Sequence, residues 1–369
     1  MGITKKLDIF TTCINRRIRS MLVMHSEKQN IRKKKSLIDK VKLTEEQIKE
    51  VDSYFMKYYG HKIPYDWHRL YQSYTGVFCE NYFPEILFST LLEPYTNPYH
   101  IAEFLDDKNL LPVLFRGIDG LHIPTTYVSS VKGRLQDGQG GMLSENQAFS
   151  LLSNIGLCVI KKTIETSSGR DVQLCNLKNG IDLKTGKALS EVLRCFGKDY
   201  VVQEMIHQNP SLAALCGSSV NTFRVMTYIC NEQINVCPIA LRLGRAGAEK
   251  DNIHYGGITI GVNTKNMTLK PVAFSEYGEK YYTHPDSHVK FDGYKLGGVK
   301  NIMSIAIKLH ERVPYMGILS WDLTIDEEGQ VVIIEMNSTG QSAWFPQFVN
   351  GESLFGENTP QILKLIKNK

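Results

Sequence analysis

The sequence predicts an α+β fold with mainly antiparallel sheets behind a helical N-terminal region. Three observations predict it. Strand-like runs recur from about residue 110 to 337, with helical stretches between them. Before residue 110 the chain is first basic and then aromatic-rich, with helix caps and proline breaks. Its 369 residues, 42% apolar and 22% charged, suffice for two or three packed units of a soluble enzyme.

The first element is a basic arm. Residues 1–42 hold 8 Lys and 4 Arg against 3 acidic residues, a net of +9, while the whole chain is +5. Basicity therefore belongs to the arm. Ile3, Leu7, Phe10, Ile14, Ile18 and Met21 recur at steps of three and four, which is one face of a helix. Lys5, Lys6, Arg16, Arg17 and Arg19 surround that face, and Arg32-Lys33-Lys34-Lys35 follows. The pattern fits a helix lying on an anionic membrane and equally one packed on the body. Nucleic acid is not expected as a partner, because the basic residues lack interleaved aromatics.

Thr44 with Gln47 signals a capping box at the next helix. Residues 54–100 read as short helices broken at Ile63-Pro64, Phe83-Pro84, Glu93-Pro94 and Asn97-Pro98. Their many Tyr and Phe residues predict core. Strands are expected at Leu111 to Phe115, Leu157 to Lys161, Tyr200 to Met205, Thr222 to Cys230, Val236 to Leu243 and Gly257 to Val262. Helices are expected over 144–155 and 297–312. No apolar run is long enough to cross a bilayer, and the first thirty residues lack a secretory h-region. The eight scattered cysteines predict reduced, mostly buried thiols. The expected location is cytoplasmic, with the inner membrane face as the arm's alternative.

Chemistry concentrates in Ser320-Trp321-Asp322-Leu323-Thr324-Ile325, a turn at 326–330, and Val331-Val332-Ile333-Ile334-Glu335-Met336-Asn337. It reads as a hairpin. A two-residue loop at Glu328-Gly329 sets Asp322 opposite Glu335, whereas a three-residue loop shifts the pairing by one. Alternation places Asp322 with Thr324, and Ile333 with Glu335 and Asn337. Opposed carboxylates repel, so this face calls for a cation. Oxygen donors without Cys or His point to Mg²⁺.

Other motifs accompany it. Lys161-Lys162 ends a strand before the small-residue loop Thr166-Ser167-Ser168-Gly169, whose backbone suits phosphate oxygens. Gln203-Glu204-Met205-Ile206 ends another strand in a short crossover that can meet an adenine edge. Arg224 and Arg242 sit in or beside apolar strands, so each needs a phosphate or an internal carboxylate.

In order and spacing these motifs resemble the ATP-grasp superfamily over about residues 100–350. The nearer resemblance is to its sugar-transfer-associated group. His207-Gln208-Asn209-Pro210, Ser219-Val220-Asn221-Thr222-Phe223-Arg224, Asp251-Asn252, Gly256-Gly257-Ile258 and His284-Pro285-Asp286 carry it, and Asp106-Asp107-Lys108 resembles an early lysine element. Lys162 stands where the group often has Pro, and Asn209 where it often has His. The resemblance implies an ATP-grasp domain over 131–369, after an arm over 1–43 and a mainly helical domain over 44–130. It implies nucleotide contacts from Lys108, Lys161, Ser168, Gly169, Glu204, Met205 and Ile206. It implies Mg²⁺ on Asp322, Glu335 and Asn337, and catalytic roles for Arg224 and Arg242. Asn252, Gly256, Gly257 and His284 would border the acceptor. The implied activity is an ATP-dependent carboxylate–amine ligase with glycan-linked substrates. A kinase, or a nucleotide-binding adaptor of a glycan-assembly complex, stays open beside it.

Overall fold

The computed structural model describes residues 3–164, 171–245, 251, 253 and 256–368, with side chains from residue 18 onward. In chain order the strands are β1 (Leu121–His122), β2 (Thr126–Val131), β3 (Arg134–Asp137), β4 (Met142–Leu143), β5 (Gly156–Lys162), β6 (Val172–Lys178), β7 (Ile181–Asp182) and β8 (Tyr200–Glu204). There follow β9 (Thr222–Cys230), β10 (Gln233–Val236), β11 (Ala240–Leu243), β12 (Ile258–Asn263), β13 (Thr268–Phe274), β14 (Lys280–Tyr281), β15 (Ile318–Ile325) and β16 (Val331–Asn337).

Among the described residues they form two sheets. One has the order β1-β16-β15-β9-β11-β12-β13-β14, with β10 beside β9; the other runs β4-β3-β2-β8-β5-β6-β7. Among these pairings β1–β16 is parallel and the rest are antiparallel. The first sheet carries the main core. Phe223, Val225, Trp321, Leu323 and Ile325 pack with Ile302, Ile305 and Leu309 of the helix Val299–Glu311. The second sheet has its own core around Cys158, Ile160, Cys175 and Val202. Cys79, Cys158, Cys175, Cys195, Cys216, Cys230 and Cys237 are free thiols, and Cys195 is the exposed one among them.

Local signals act where they were expected. Thr44 Oγ1 accepts from Gln47 N–H at 3.2 Å and Gln47 Oε1 from Thr44 N–H at 3.0 Å. Trp67, Tyr71, Tyr74, Tyr82, Phe83 and Phe88 are all buried. Three local readings change. Leu111–Phe115 is a helix, not a strand. Pro112 fits its first turn, and Leu111 and Phe115, four apart, share the buried face. Val236 to Leu243 splits into two strands around Pro238, which has no N–H for a ladder. Glu93-Pro94 does not break the helical run, because a π turn at Phe88–Leu92 precedes it and Glu93–Thr96 follows directly.

The hairpin reaches the expected pairing by an unexpected route. Its turn is the longer one: Gly329 N–H donates to Asp326 O at 3.1 Å, Asp326 N–H to Gln330 O at 3.0 Å, and Gly329 has φ +82°. Ile325 therefore pairs with Val331, and Leu323 with Ile333, one residue out of the two-residue register. A bulge at Ile334 restores it, so Asp322 does face Glu335. The bulge also moves Ile333 into the core, away from Glu335, and leaves Ile334 on the Glu335 side.

The arm forms the helix Ile3–Lys33. Ser20, Val23, Glu27 and Ile31 are half-buried, while Ile18, Met21 and Leu22 are exposed. At about 100° per residue these two sets lie on opposite sides of the helix. The two described members of the stripe seen in the sequence, Ile18 and Met21, thus lie away from the docking face. Of the basic cluster, Lys34 turns inward onto Glu276 at 2.7 Å, and Arg32, Lys33 and Lys35 stay exposed.

A Cβ on Gly329 would meet no atom within 4 Å, so only the left-handed backbone opposes a side chain there. Gly329→Ala is expected to lower stability by about 1 kcal/mol, read by chemical denaturation. An unchanged or raised midpoint contradicts the turn geometry.

Candidate active site

A cleft of about 1010 Å³ opens between the two sheets. Alternation along β5 and β6 turns Leu157, Val159, Lys161, Val172 and Leu174 toward it. Glu204, Met205 and Ile206 line one end, and Arg224 on β9, Arg242 on β11, Asp322 on β15, and Glu335 and Asn337 on β16 line the floor. Lys108, from the short helix Lys108–Leu110, joins them.

Asp322 is the centre of this floor. Arg242 Nη2 donates to its Oδ2 at 2.8 Å. Arg224 Nε lies 2.9 Å from Oδ1, but off the axis a hydrogen bond needs, so Oδ1 stays a buried acceptor without a hydrogen-bond donor. The open question about the arginines is answered for this state: both pair with a carboxylate of the chain itself. Thr222 Oγ1 accepts from Arg242 Nε at 2.9 Å and Nη2 at 2.7 Å, and donates to Asp251 Oδ2. Burial lowers the Arg224 pKa despite Asp322. For Arg242 burial acts the same way, but Asp251 and Asp322 outweigh it and the pKa rises. Burial pushes the Asp251 carboxyl up against the pull of Arg242.

Lysine chemistry divides cleanly. Lys161 is buried in the cleft wall, and burial with neighbouring Lys108 brings its pKa down to about 8. No hydrogen bond or salt bridge to its ammonium occurs among the described residues. Lys162 points the other way and pairs with Asp171 at 3.2 Å. Lys108 Nζ lies 2.7 Å from Glu335 Oε1. Asn337 Nδ2 donates to Ser320 O at 3.4 Å.

These donors fit a hard cation. Asp322 and Glu335 are one register pair, Asn337 stands two rungs along, and all three offer oxygen, with Arg224, Arg242 and Lys108 now balancing the two carboxylates. Among the described residues no group of three or more His, Cys, Asp or Glu forms a metal cage. Glu204 Oε1 is already held by Thr125 N–H at 2.6 Å and His122 Nε2 at 2.8 Å. Burial raises its pKa, and those bonds outweigh burial to bring it down.

Other sequence candidates stand apart. Ser168, Gly169 and Asn252 lie outside the described residues. Gly256 is an exposed turn at φ +88° whose carbonyl accepts from Arg245 Nε at 2.5 Å. Gly257 is buried, and neither glycine lines the cleft. His284 does not line it either. Its Nε2–H donates to Gly244 O at 2.9 Å, and Nδ1 accepts from Asp286 and Ser287 N–H at 3.3 Å each. It pins a loop. Residues the motifs did not mark out are Thr222 and Asp251, which set Arg242, and His122. Thr222 and Asp251 stood inside quoted motifs; His122 had no local signal.

The chain belongs to the sugar-transfer associated ATP-grasp family, whose family model matches residues 87–362. That places it in a family of ATP-using enzymes and makes this α+β architecture an ATP-grasp fold behind a helical N-terminal region. It is similar to biotin carboxylase from Campylobacter jejuni in complex with β,γ-ATP, at 13% identity and TM-score 0.42, over 72% of this chain and 47% of that one. N5-carboxyaminoimidazole synthetase from Staphylococcus aureus with ADP matches at 12% identity and TM-score 0.39, over 71% and 56%. L-amino acid ligase from Bacillus licheniformis matches at 12% and 0.39, over 72% and 48%. The chain spans about half the length of these structures. No curated protein matches it.

Removing the central carboxylate leaves two buried guanidinium groups together. Asp322→Ala is expected to cost about 3–5 kcal/mol of stability in urea unfolding. A loss under about 1 kcal/mol would show that Asp322 is not what holds Arg224 and Arg242.

Proposed function

We propose that this protein is an ATP-dependent carboxylate–amine ligase that works through an acylphosphate on a glycan-linked or amino-acid substrate. The strongest support is one juxtaposition: the Asp322–Glu335 register pair opens on the same cleft as Lys108, Lys161, Arg224 and Arg242. The apolar wall of Leu157, Val159, Val172 and Leu174 suits a flat base, and Glu204-Met205-Ile206 offers backbone groups to its edge. Lys161 and Lys108 supply positive charge to the phosphates. Asp322, Glu335 and Asn337 would hold Mg²⁺, which when bound neutralises phosphate charge.

In this reading the substrate carboxylate oxygen attacks the γ-phosphorus, and ADP departs with the bridging oxygen. The amine nitrogen then attacks the acyl carbon, phosphate leaves, and the amine proton passes to solvent. The chain contributes position and charge, with no side-chain nucleophile. Arg224 and Arg242, preset by Asp322 and Thr222, face the charge that develops on the transferred phosphoryl group. Ser168 and Gly169 would cover the phosphates. Asn252 would border the acceptor, and His284 pins the neighbouring loop through Gly244. The glycan link rests on the family description alone.

The arm adds a second proposal, peripheral attachment to an anionic membrane. It is supported by the exposed Ile18, Met21 and Leu22 opposite the docking face, and by the +9 charge of residues 1–42. No described helix is long and apolar enough to cross a membrane.

The decisive assay is ADP and phosphate release against panels of acids and amines. Release is expected only with both substrates, and Glu335→Ala is expected to cut it by about 100-fold or more with the fold intact by circular dichroism. Undiminished release from that variant removes the site. For the arm, Met21→Glu with Leu22→Glu is expected to abolish sedimentation with phosphatidylserine vesicles. Equal sedimentation of both forms counts against attachment.

A further inference from the structure

His122 plays no part in the reading above, yet it stands where the two sheets meet beneath the crossover. It lies on β1, the parallel neighbour of β16. Its Nδ1 is 2.7 Å from Asp326 Oδ2 and its Nε2 is 2.8 Å from Glu204 Oε1. A neutral imidazole has one N–H and donates to one carboxylate; its other nitrogen would then set a lone pair against a carboxylate lone pair. The doubly protonated ring donates to both.

The two carboxylates belong to different sheets. Glu204 ends β8, and Asp326 follows β15 in the metal-facing hairpin. Neither is free to turn away. Asp326 is buried and its Oδ1 accepts from Gln330 N–H at 2.7 Å, while Glu204 also holds Thr125 N–H. Beyond the crossover the backbone is tied to the same hairpin: Glu327 N–H donates to His207 O at 3.1 Å and Asn209 N–H to Ile325 O at 2.8 Å.

We infer that His122 is a positioning residue which, as an imidazolium, couples the crossover Glu204-Met205-Ile206 to the hairpin carrying Asp322 and Glu335, and so makes adenine binding depend on its proton. The coupling rests on the nucleotide reading of the cleft. The protonation of the ring does not. Groups facing the ring are Glu204 from β8 and Asp326 from the hairpin turn. Next along those segments are His207 and Glu327, 4.0 Å apart, and β2 brings Tyr127, whose phenol senses Glu204. Burial alone would lower the His122 pKa; the two carboxylates outweigh it and the net shift is upward. A value raised on folding means the tie is whole below the unfolded midpoint and is lost as pH rises through the folded one.

Two measurements on the full chain test this. In protein labelled with ¹⁵N-histidine, the His122 ring is assigned by its loss in His122→Asn. At about pH 6.5, where an unperturbed histidine is half protonated, the doubly protonated ring is expected to predominate. A singly protonated ring there overturns the inference. The second probe is adenosine, which carries no phosphate and no group titrating near neutrality, so Lys161 does not enter. Its affinity is expected to fall about tenfold as pH rises through the His122 midpoint. His122→Asn is expected to bind weakly at every pH, and His122→Arg, a permanent cation with a forked donor set, to bind tightly at every pH. Affinity that ignores pH, or a His122→Asn variant as tight as the parent, overturns the coupling. Failure of both adenosine and ADP to bind the parent at any pH overturns the nucleotide reading and the coupling with it, and the ring spectrum then still decides the protonation state.

Discussion

Burial of the Asp322 carboxylate between two strand-borne arginines is the constraint on which the cleft depends. Strand positions facing a sheet's covered side are normally apolar, and β15 is buried along its whole length. A carboxylate there is tolerable only with fixed cations beside it, and arginines there only with a fixed anion. Each side justifies the other. Thr222 and Asp251 complete the arrangement by holding Arg242 from behind. The result is a preset patch of charge in which Asp322 Oδ1 stays buried, 2.9 Å from Arg224 Nε, without a hydrogen bond.

The same economy shapes the lysines. Lys161 is buried without a hydrogen-bonded anion, and its neighbour Lys108 is held by Glu335. A buried ammonium beside a second cation is costly to keep charged, which is why its pKa falls toward neutrality.

The N-terminal helical region is part of this construction rather than an appendage. Three of its carboxylates take up the loop that follows Asn337. Glu93 accepts from Gly340 N–H at 3.1 Å and Gln341 N–H at 3.0 Å. Asp106 accepts from Ser338 N–H at 3.3 Å and Thr339 Oγ1 at 3.1 Å, and Glu85 from Ala343 N–H at 3.2 Å. Thr339, Gly340 and Ser342 of that loop line the cleft. Burial pushes the Glu93 carboxyl up to about 7, against the backbone bonds that favour its charged form. The floor of the cleft is therefore shaped from residues more than 200 positions away.

The sequence by itself determined what depends on near neighbours. The Thr44–Gln47 capping box, the hairpin, the aromatic core segment and the all-oxygen character of the Asp322, Glu335 and Asn337 set are local in origin, because periodicity and side-chain chemistry act over a few residues. Tertiary structure decided what depends on who lies opposite. Lys161 rather than Lys162 enters the cleft because β5 pairs with β8 in one register. Arg224 and Arg242 meet Asp322 because β9 lies between β11 and β15. Ile334 bulges and corrects a turn that alone would have separated the carboxylates. From residue 18 onward the arm half-buries Val23 and Ile31 and leaves Ile18 and Met21 of its apolar stripe exposed, because the body offers its surface to that side. His122 acquires its two carboxylates from segments 82 and 204 residues away. No window of sequence contains such pairings, since their energy arises only when distant strands are brought into register.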